Sequence, residues 1–124
     1  MAQMSLQAVA FAMPGGENCI SARARPVDLV HLARQTMGDR MLEEEVLQLF
    51  MQQAALIGDR IRNAEPLERK RLAHGLKGSA RGIGAFAVAE CALAIEENPE
   101  LASLVNELVE RLSAVRQFIA SITR

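Results

Sequence analysis

Residues 73–85 combine a histidine, cations and glycines at helical spacing. Four of them stand at positions i, i+3, i+4 and i+7 and would share one helical face, namely His74, Lys77, Gly78 and Arg81. Neutral imidazole is a competent nucleophile near pH 7, and its nitrogen can take up a phosphoryl group. The Lys77 ammonium can neutralise phosphoryl oxygens, and Arg81 adds positive field. The pattern therefore predicts phosphoryl chemistry on His74.

Glycine is unusually frequent in the same stretch, at Gly75, Gly78, Gly82 and Gly84. Each glycine inside a helix costs about 1 kcal/mol relative to alanine. Either a second helix crosses very closely here, or another molecule approaches the backbone. Burying unpaired Lys and Arg is costly, so the His74 face is predicted to point outward. The opposite face is predicted to be the buried one, with Leu72, Leu76, Ser79, Ile83 and Phe86.

The first two helices are predicted from apolar periodicity and from capping residues. A short helix is expected to begin at Pro26 or Val27 and to close at Gly38. Asp39 is expected to cap a longer second helix. The apolar stripe of this second helix is predicted to comprise Leu42, Val46, Leu49, Phe50, Leu56, Ile57 and Ile61.

A third helix is predicted to run from Leu67 towards Glu97, and a fourth, capped by Asn98, over about residues 99–122. Short turns between long amphipathic helices favour antiparallel neighbours. The predicted fold class is all-α: an antiparallel up-down four-helix bundle with a short extra N-terminal helix or leader. Residues 1–25 are interpreted as the leader, which can be partly helical, and residues 26–124 as the bundle.

Charge is balanced overall but not locally. The 124-residue chain suits one domain and has a formal net charge of −1, which gives no bulk argument for nucleic acid or an anionic membrane. Residues 60–81 carry a net charge of +5, whereas residues 82–110 carry −6. A local anionic ligand or partner would explain the basic stretch, and two solvated helix faces would explain it equally well.

Cysteine usage and hydropathy favour the cytoplasm. Cys19 and Cys91 are too few for a disulfide framework or a zinc motif. No apolar run approaches the roughly 18 residues of a membrane span, and residues 1–13 lack the basic start of a secretion signal. His31 follows Asp28 at a spacing that can hold a metal, but there is no second such pair, so no metal site is predicted.

The motif around the histidine resembles that of a known family. Residues 74–79 read His-Gly-Leu-Lys-Gly-Ser and are followed by Gly84-Ala85, which resembles the H-x-L-K-G-S…G-A motif of histidine phosphotransfer domains. The similarity spans about residues 26–120. It implies that His74 is the phosphoacceptor, that Lys77 stabilises the phosphoryl group, and that Gly78 lets a receiver domain dock. Partner docking is also assigned to Gly75, Arg81 and Arg71.

This resemblance implies a phosphorelay intermediate that accepts a phosphoryl group from a receiver aspartate and passes it to another receiver. The expected partners are response-regulator receiver domains and a hybrid or sensor histidine kinase, with neither nucleic acid nor membrane. We expect a monomeric phosphocarrier without ATP-dependent kinase activity or a cofactor of its own, with Mg²⁺ supplied by the receiver. The alternatives are a non-phosphorylated helical adaptor, a domain phosphorylated directly by a histidine kinase and, more distantly, a helical metalloenzyme.

Overall fold

Five α-helices and no strand make up residues 25–123, the part of the chain that the computed structural model describes. They are α1 (Leu29–Gln35), α2 (Arg40–Ile61), α3 (Pro66–Ile83), α4 (Phe86–Glu97) and α5 (Ala102–Ile122). The all-α prediction is confirmed. The predicted partial helix of the leader lies outside the described residues.

Aspartate side chains start both α1 and α2. Asp28 Oδ1 accepts hydrogen bonds from the backbone N–H groups of Val30 and His31, each at 3.1 Å. Asp39 Oδ1 accepts one from Leu42 N at 3.1 Å, so the predicted cap of α2 is confirmed. Because a side-chain oxygen satisfies N–H groups that have no partner within the helix, α1 begins after Asp28, slightly later than predicted.

The prediction of one continuous helix from Leu67 to Glu97 is wrong. Helix α3 ends at Ile83, and Gly84 adopts a left-handed conformation with φ of 87°. Asp28 N donates a hydrogen bond to Gly84 O at 2.9 Å, and a Cβ at Gly84 would lie 2.8 Å from Asp28 O. The segment before α1 therefore packs directly on this glycine, and the chain turns there into α4.

Asn98 ends α4, and the prediction that it caps the fourth helix is also wrong. The N–H of Asn98 bonds to Ala94 O at 2.9 Å and so continues the α4 pattern. Helix α5 begins only at Ala102, after Leu101, and has no side-chain cap. The Asn98 backbone is therefore already engaged by α4, and a turn separates it from α5.

Helix α3 lies at the centre of the packing and contacts α4, α2 and α1, while α5 contacts α4 and α2. The buried side of α3 carries Ala73, Leu76, Ala80 and Ile83. The His74 side chain lies outside this buried set and is 70% exposed.

Several residues of the predicted apolar faces are exposed. Leu49 and Leu56 of α2 are 65% and 63% exposed, and the buried positions of that helix include Leu47 and Ala54 instead. Helical periodicity identified the helix but not the rotation at which it packs. Phe86 is 41% exposed, because the chain turns just before it and it begins a new helix. None of the helices in the described part of the chain is long and apolar enough to cross a membrane.

Candidate functional site

One carboxylate joins the histidine and the lysine of the predicted site. Helix α3 presents His74 and, one turn later, Lys77, and the end of α4 supplies Glu96. His74 Nδ1 lies 2.7 Å from Glu96 Oε2, and Lys77 Nζ lies 2.6 Å from Glu96 Oε1. The three side chains therefore form a chain of contacts, imidazole to carboxylate to ammonium, across the α3–α4 pair.

The three side chains differ in exposure. The His74 side chain is 70% exposed, whereas those of Lys77 and Glu96 are 16% and 15% exposed. The outward orientation predicted for the histidine is thus found, but Lys77 lies much deeper than an exposed helix lysine. A partner can therefore reach the imidazole, while the contact with Glu96 holds the orientation of the ring.

The pairing with Glu96 selects one nitrogen of the imidazole. A carboxylate can only accept a hydrogen bond, so the contact at Nδ1 requires a proton there. In neutral imidazole, the lone pair is then on Nε2. The exposed ring therefore offers Nε2 as its nucleophilic nitrogen.

Glu96 is held in its charged form. The adjacent Lys77 ammonium is the largest cause that lowers the pKa of the Glu96 carboxyl below its ordinary value, and the contact with His74 lowers it further. Burial acts in the opposite direction and is outweighed. Near neutral pH the carboxylate is thus ionised and able to accept from both neighbours.

Sequence reasoning did not assign a role to Glu96. In an uninterrupted helix it would lie about 33 Å along the axis from His74, at 1.5 Å per residue. The turn at Gly84 brings it back alongside α3. The net negative charge of residues 82–110 was the available signal, but it could not show which glutamate faces the histidine.

The family model of the Hpt domain matches residues 44–118. The chain belongs to the Hpt domain family. Hpt domains are the phosphotransfer modules of two-component phosphorelays and interact there with receiver domains and kinases. The matched range contains His74, Lys77 and Glu96. No curated protein and no solved structure matches the chain.

The helical glycines of this Hpt domain lie in open space. A Cβ added at Gly75, Gly78 or Gly82 would meet no atom within 4 Å. A close helix crossing among the described residues therefore does not explain them. Of the two explanations offered by the sequence, the approach of another molecule is the one that the structure favours.

The two arginines assigned to docking flank the histidine without touching it. Arg71 lies one turn before His74, is 71% exposed and has its nearest carboxylate, that of Glu68, at 3.9 Å. Arg81 is exposed in the last turn of α3, and no ion pair within residues 25–123 engages it. Both guanidinium groups are thus available to a partner's acidic groups.

An open groove lies between α2 and the last turns of α3. It has a volume of about 380 Å³ and is bordered by Ser79 and Gly82 of α3 and by Leu42 and Leu49 of α2. Leu49 is 65% exposed and Leu42 is 38% exposed. Exposed apolar side chains of α2 therefore lie next to Gly82 of α3, and apolar surface of this kind can contribute to protein docking.

The remaining candidate groups take other roles. The Cys91 thiol is buried and donates to Leu104 O at 3.4 Å, and burial is the main cause that raises its pKa to about 11. The His31 ring packs edge-to-face on Phe86, with ring centroids 5.1 Å apart. Within residues 25–123, no three potential metal ligands come together.

Proposed function

We propose that His74 Nε2 accepts a phosphoryl group from the aspartyl phosphate of a receiver domain and later returns it to the aspartate of another receiver. The Nε2 lone pair attacks phosphorus in line, an N–P bond forms, and the P–O bond to the aspartate breaks as its carboxylate leaves. The second transfer reverses these bond changes. The observation that carries the proposal is an exposed imidazole whose Nδ1 is fixed by a carboxylate.

Lys77 and Glu96 support this reaction in different ways. Glu96 fixes the tautomer and orientation of the ring and stabilises the positive charge that develops on it during attack. The Lys77 ammonium brings positive charge within one turn of the phosphoryl group that arrives on Nε2. Positioning and charge neutralisation are the main needs of phosphoryl transfer, and the receiver would contribute Mg²⁺ to the same end.

The docking surface in this proposal combines open backbone, apolar side chains and positive charge. Gly75 and Gly78 leave room beside the imidazole. Leu42 and Leu49 of α2 offer apolar contact, and Arg71 and Arg81 of α3 attract acidic groups around the receiver's active site. The groove beside Ser79 and Gly82, in the last turns of the same helix, would extend the receiver contact beyond the residues around Nε2.

The same proposal takes residues 26–124 as the phosphotransfer unit. We infer that α2 to α5 form an antiparallel up-down bundle with α1 as the short extra helix. The contacts of α2 with α3, α3 with α4, α4 with α5 and α5 with α2 support such a ring of four. We further propose that the unit acts as a monomer in the cytoplasm.

The deciding experiment supplies the chain with a ³²P-phosphorylated receiver and Mg²⁺ and measures acid-labile label on the chain. We expect label on the wild type and none on His74→Gln. His31→Gln is the matched control, because His31 is the other of the two histidines in the sequence, and it should be labelled like the wild type. An unlabelled wild type would favour the non-phosphorylated adaptor. Labelling by a kinase without its receiver, and not by the receiver, would favour direct phosphorylation.

A further inference from the structure

A second open groove lies where the start of the described chain meets α4 and α5. It has a volume of about 670 Å³ and shares no lining residue with the His74–Lys77–Glu96 site. Val30 of α1 and Phe86 of α4 line it and are 63% and 41% exposed. Apolar surface of this kind, next to a buried core, is suited to a further apolar segment.

Four charged side chains line this groove, those of Arg25, Asp28, Glu90 and Arg111, and the fold already engages two of them. The Asp28 carboxylate is used as the cap of α1. The Arg111 guanidinium bonds to Glu107 Oε2 at 3.0 Å and to Ala87 O at 3.2 Å. The exposed surface of the groove is mainly apolar.

The chain itself supplies a segment of matching chemistry. Residues 1–13 contain no Asp, Glu, Lys or Arg, and residues 6–13 include Leu6, Val9, Phe11 and Met13. The first two described residues, Arg25 and Pro26, line the groove, so the preceding residues leave from its edge. The eleven connecting residues 14–24 can span roughly 36 Å when extended, which is ample for a return.

We propose that residues 6–13 occupy the groove lined by Val30 and Phe86 and cover their exposed apolar surface. Attachment through residues 14–24 gives this segment an effective concentration of about millimolar order, which a second copy of the chain does not have at ordinary dilution. Because the groove and the phosphotransfer site share no residue, the proposal does not rest on the proposed function. Docking should leave phosphoryl transfer unchanged.

The test uses the full chain with Cys19→Ser and Gln3→Cys, and a nitroxide label on the new thiol. Cys91 is 5% exposed and has its pKa raised to about 11, mainly by burial, so it should stay unlabelled. We expect the label to broaden the backbone amide signals of Val30 and Phe86 selectively, compared with Lys70 in the first turns of α3. Phe11→Asp should abolish the selective broadening, whereas Ser5→Asp, which adds the same charge, should preserve it.

A second matched pair of variants changes the groove instead of the N-terminal segment. Val30→Asp should abolish the selective broadening, and Met37→Asp, at a residue that is 89% exposed and outside the groove, should not. Broadening that is absent, uniform, or unaffected by Phe11→Asp would overturn the proposal. So would selective broadening of a ¹⁵N-labelled chain by a separate spin-labelled chain, since the occupant would then be a second copy. Should Val30→Asp fail to fold, Phe11→Asp decides alone.

Discussion

His74 and Glu96 are 22 positions apart in the sequence, yet Nδ1 of the first lies 2.7 Å from Oε2 of the second. The other oxygen of the carboxylate contacts Lys77 Nζ. A single, largely buried acid therefore links the exposed acceptor to the largely buried cation. Neither partner on α3 is positioned by its own helix alone, which makes the α3–α4 packing part of the site.

Removal of this acid should slow phosphoryl transfer without unfolding the domain. Glu96→Ala deletes the charge-assisted bond at Nδ1, and we expect transfer from a phosphorylated receiver to slow by about tenfold, or about 1.4 kcal/mol in the barrier. Glu96→Gln keeps an acceptor oxygen without the charge and should lose less, about threefold. Rapid-quench kinetics measure both. Glu97→Ala, at an exposed neighbour, is the control, and a Glu96→Ala rate equal to the wild type would remove the proposed role.

The lowered pKa of Glu96 predicts a pH dependence of stability. A carboxyl whose pKa is lower in the folded state stabilises that state fully above its unfolded pKa of about 4.3. This contribution is lost as the pH falls through the lowered folded value. Urea unfolding measures the free energy of unfolding of the chain with Glu96 and of the Glu96→Gln variant. The difference between these two free energies should be constant near neutral pH and should shrink in acid.

The measurement is made in a His74→Gln background, so that the contact between the imidazole and Glu96 does not contribute. Lys77→Met removes the largest cause of the lowered Glu96 pKa. In this variant, the difference in the free energy of unfolding should depend less on pH. A difference that grows as the pH falls would contradict the assignment.

The chemical face of α3 could be predicted from the sequence because it depends on local geometry alone. His74, Lys77 and Gly78 are within four residues, and the helical repeat fixes their relative positions whatever the rest of the fold does. The open surroundings of Gly75 and Gly78 also agree with the interpretation of the glycines. The burial of Lys77 could not be predicted from this local geometry, because it depends on where α4 lies.

Two of the missed features involve tertiary contacts. The turn after Ile83 combines a local cap, in which Ala85 N donates to Ala80 O at 2.8 Å, with a bond from Asp28 N, in a distant part of the chain, to Gly84 O. The rotation of α2 is similar: Leu49 and Phe50 both fit a helical stripe, and packing buries only Phe50. Apolar periodicity alone decided neither point.

Gly78 should be needed for docking and not for folding. In Gly78→Gln, the side chain enters open space, so the fold should be kept while the receiver is hindered at the histidine. We expect the apparent affinity for a phosphorylated receiver to fall by about tenfold or more, which is about 1.4 kcal/mol. Gly58→Gln, also in open space but on α2, is the control. Equal transfer by both variants at limiting receiver would argue against docking at Gly78.

Gly84 should be needed for folding and not for docking. Gly84→Ala forces a Cβ to within 2.8 Å of Asp28 O in a left-handed conformation, and should reduce the free energy of unfolding by about 1–3 kcal/mol. Gly82→Ala lies in open helical space and should instead stabilise by up to about 1 kcal/mol. Urea unfolding of the two variants gives the comparison. Destabilisation of similar size in both would show that the turn at Gly84 is not the reason.

Arg69 should be a structural residue although it belongs to the basic stretch. Its guanidinium donates to Ile61 O at 3.0 Å, to Arg62 O at 2.9 Å and to Pro99 O at 2.9 Å. These bonds tie the end of α2 to α3 and to the turn before α5.

Arg69→Ala should therefore reduce the free energy of unfolding by about 2 kcal/mol, since it leaves three carbonyl groups without their partner. Arg71→Ala removes a guanidinium that is 71% exposed and 3.9 Å from its nearest carboxylate, and should change stability by less than about 0.5 kcal/mol. Its effect should instead appear in receiver docking. Equal stability of the two variants, at unchanged m-values in urea, would assign both arginines to the partner surface.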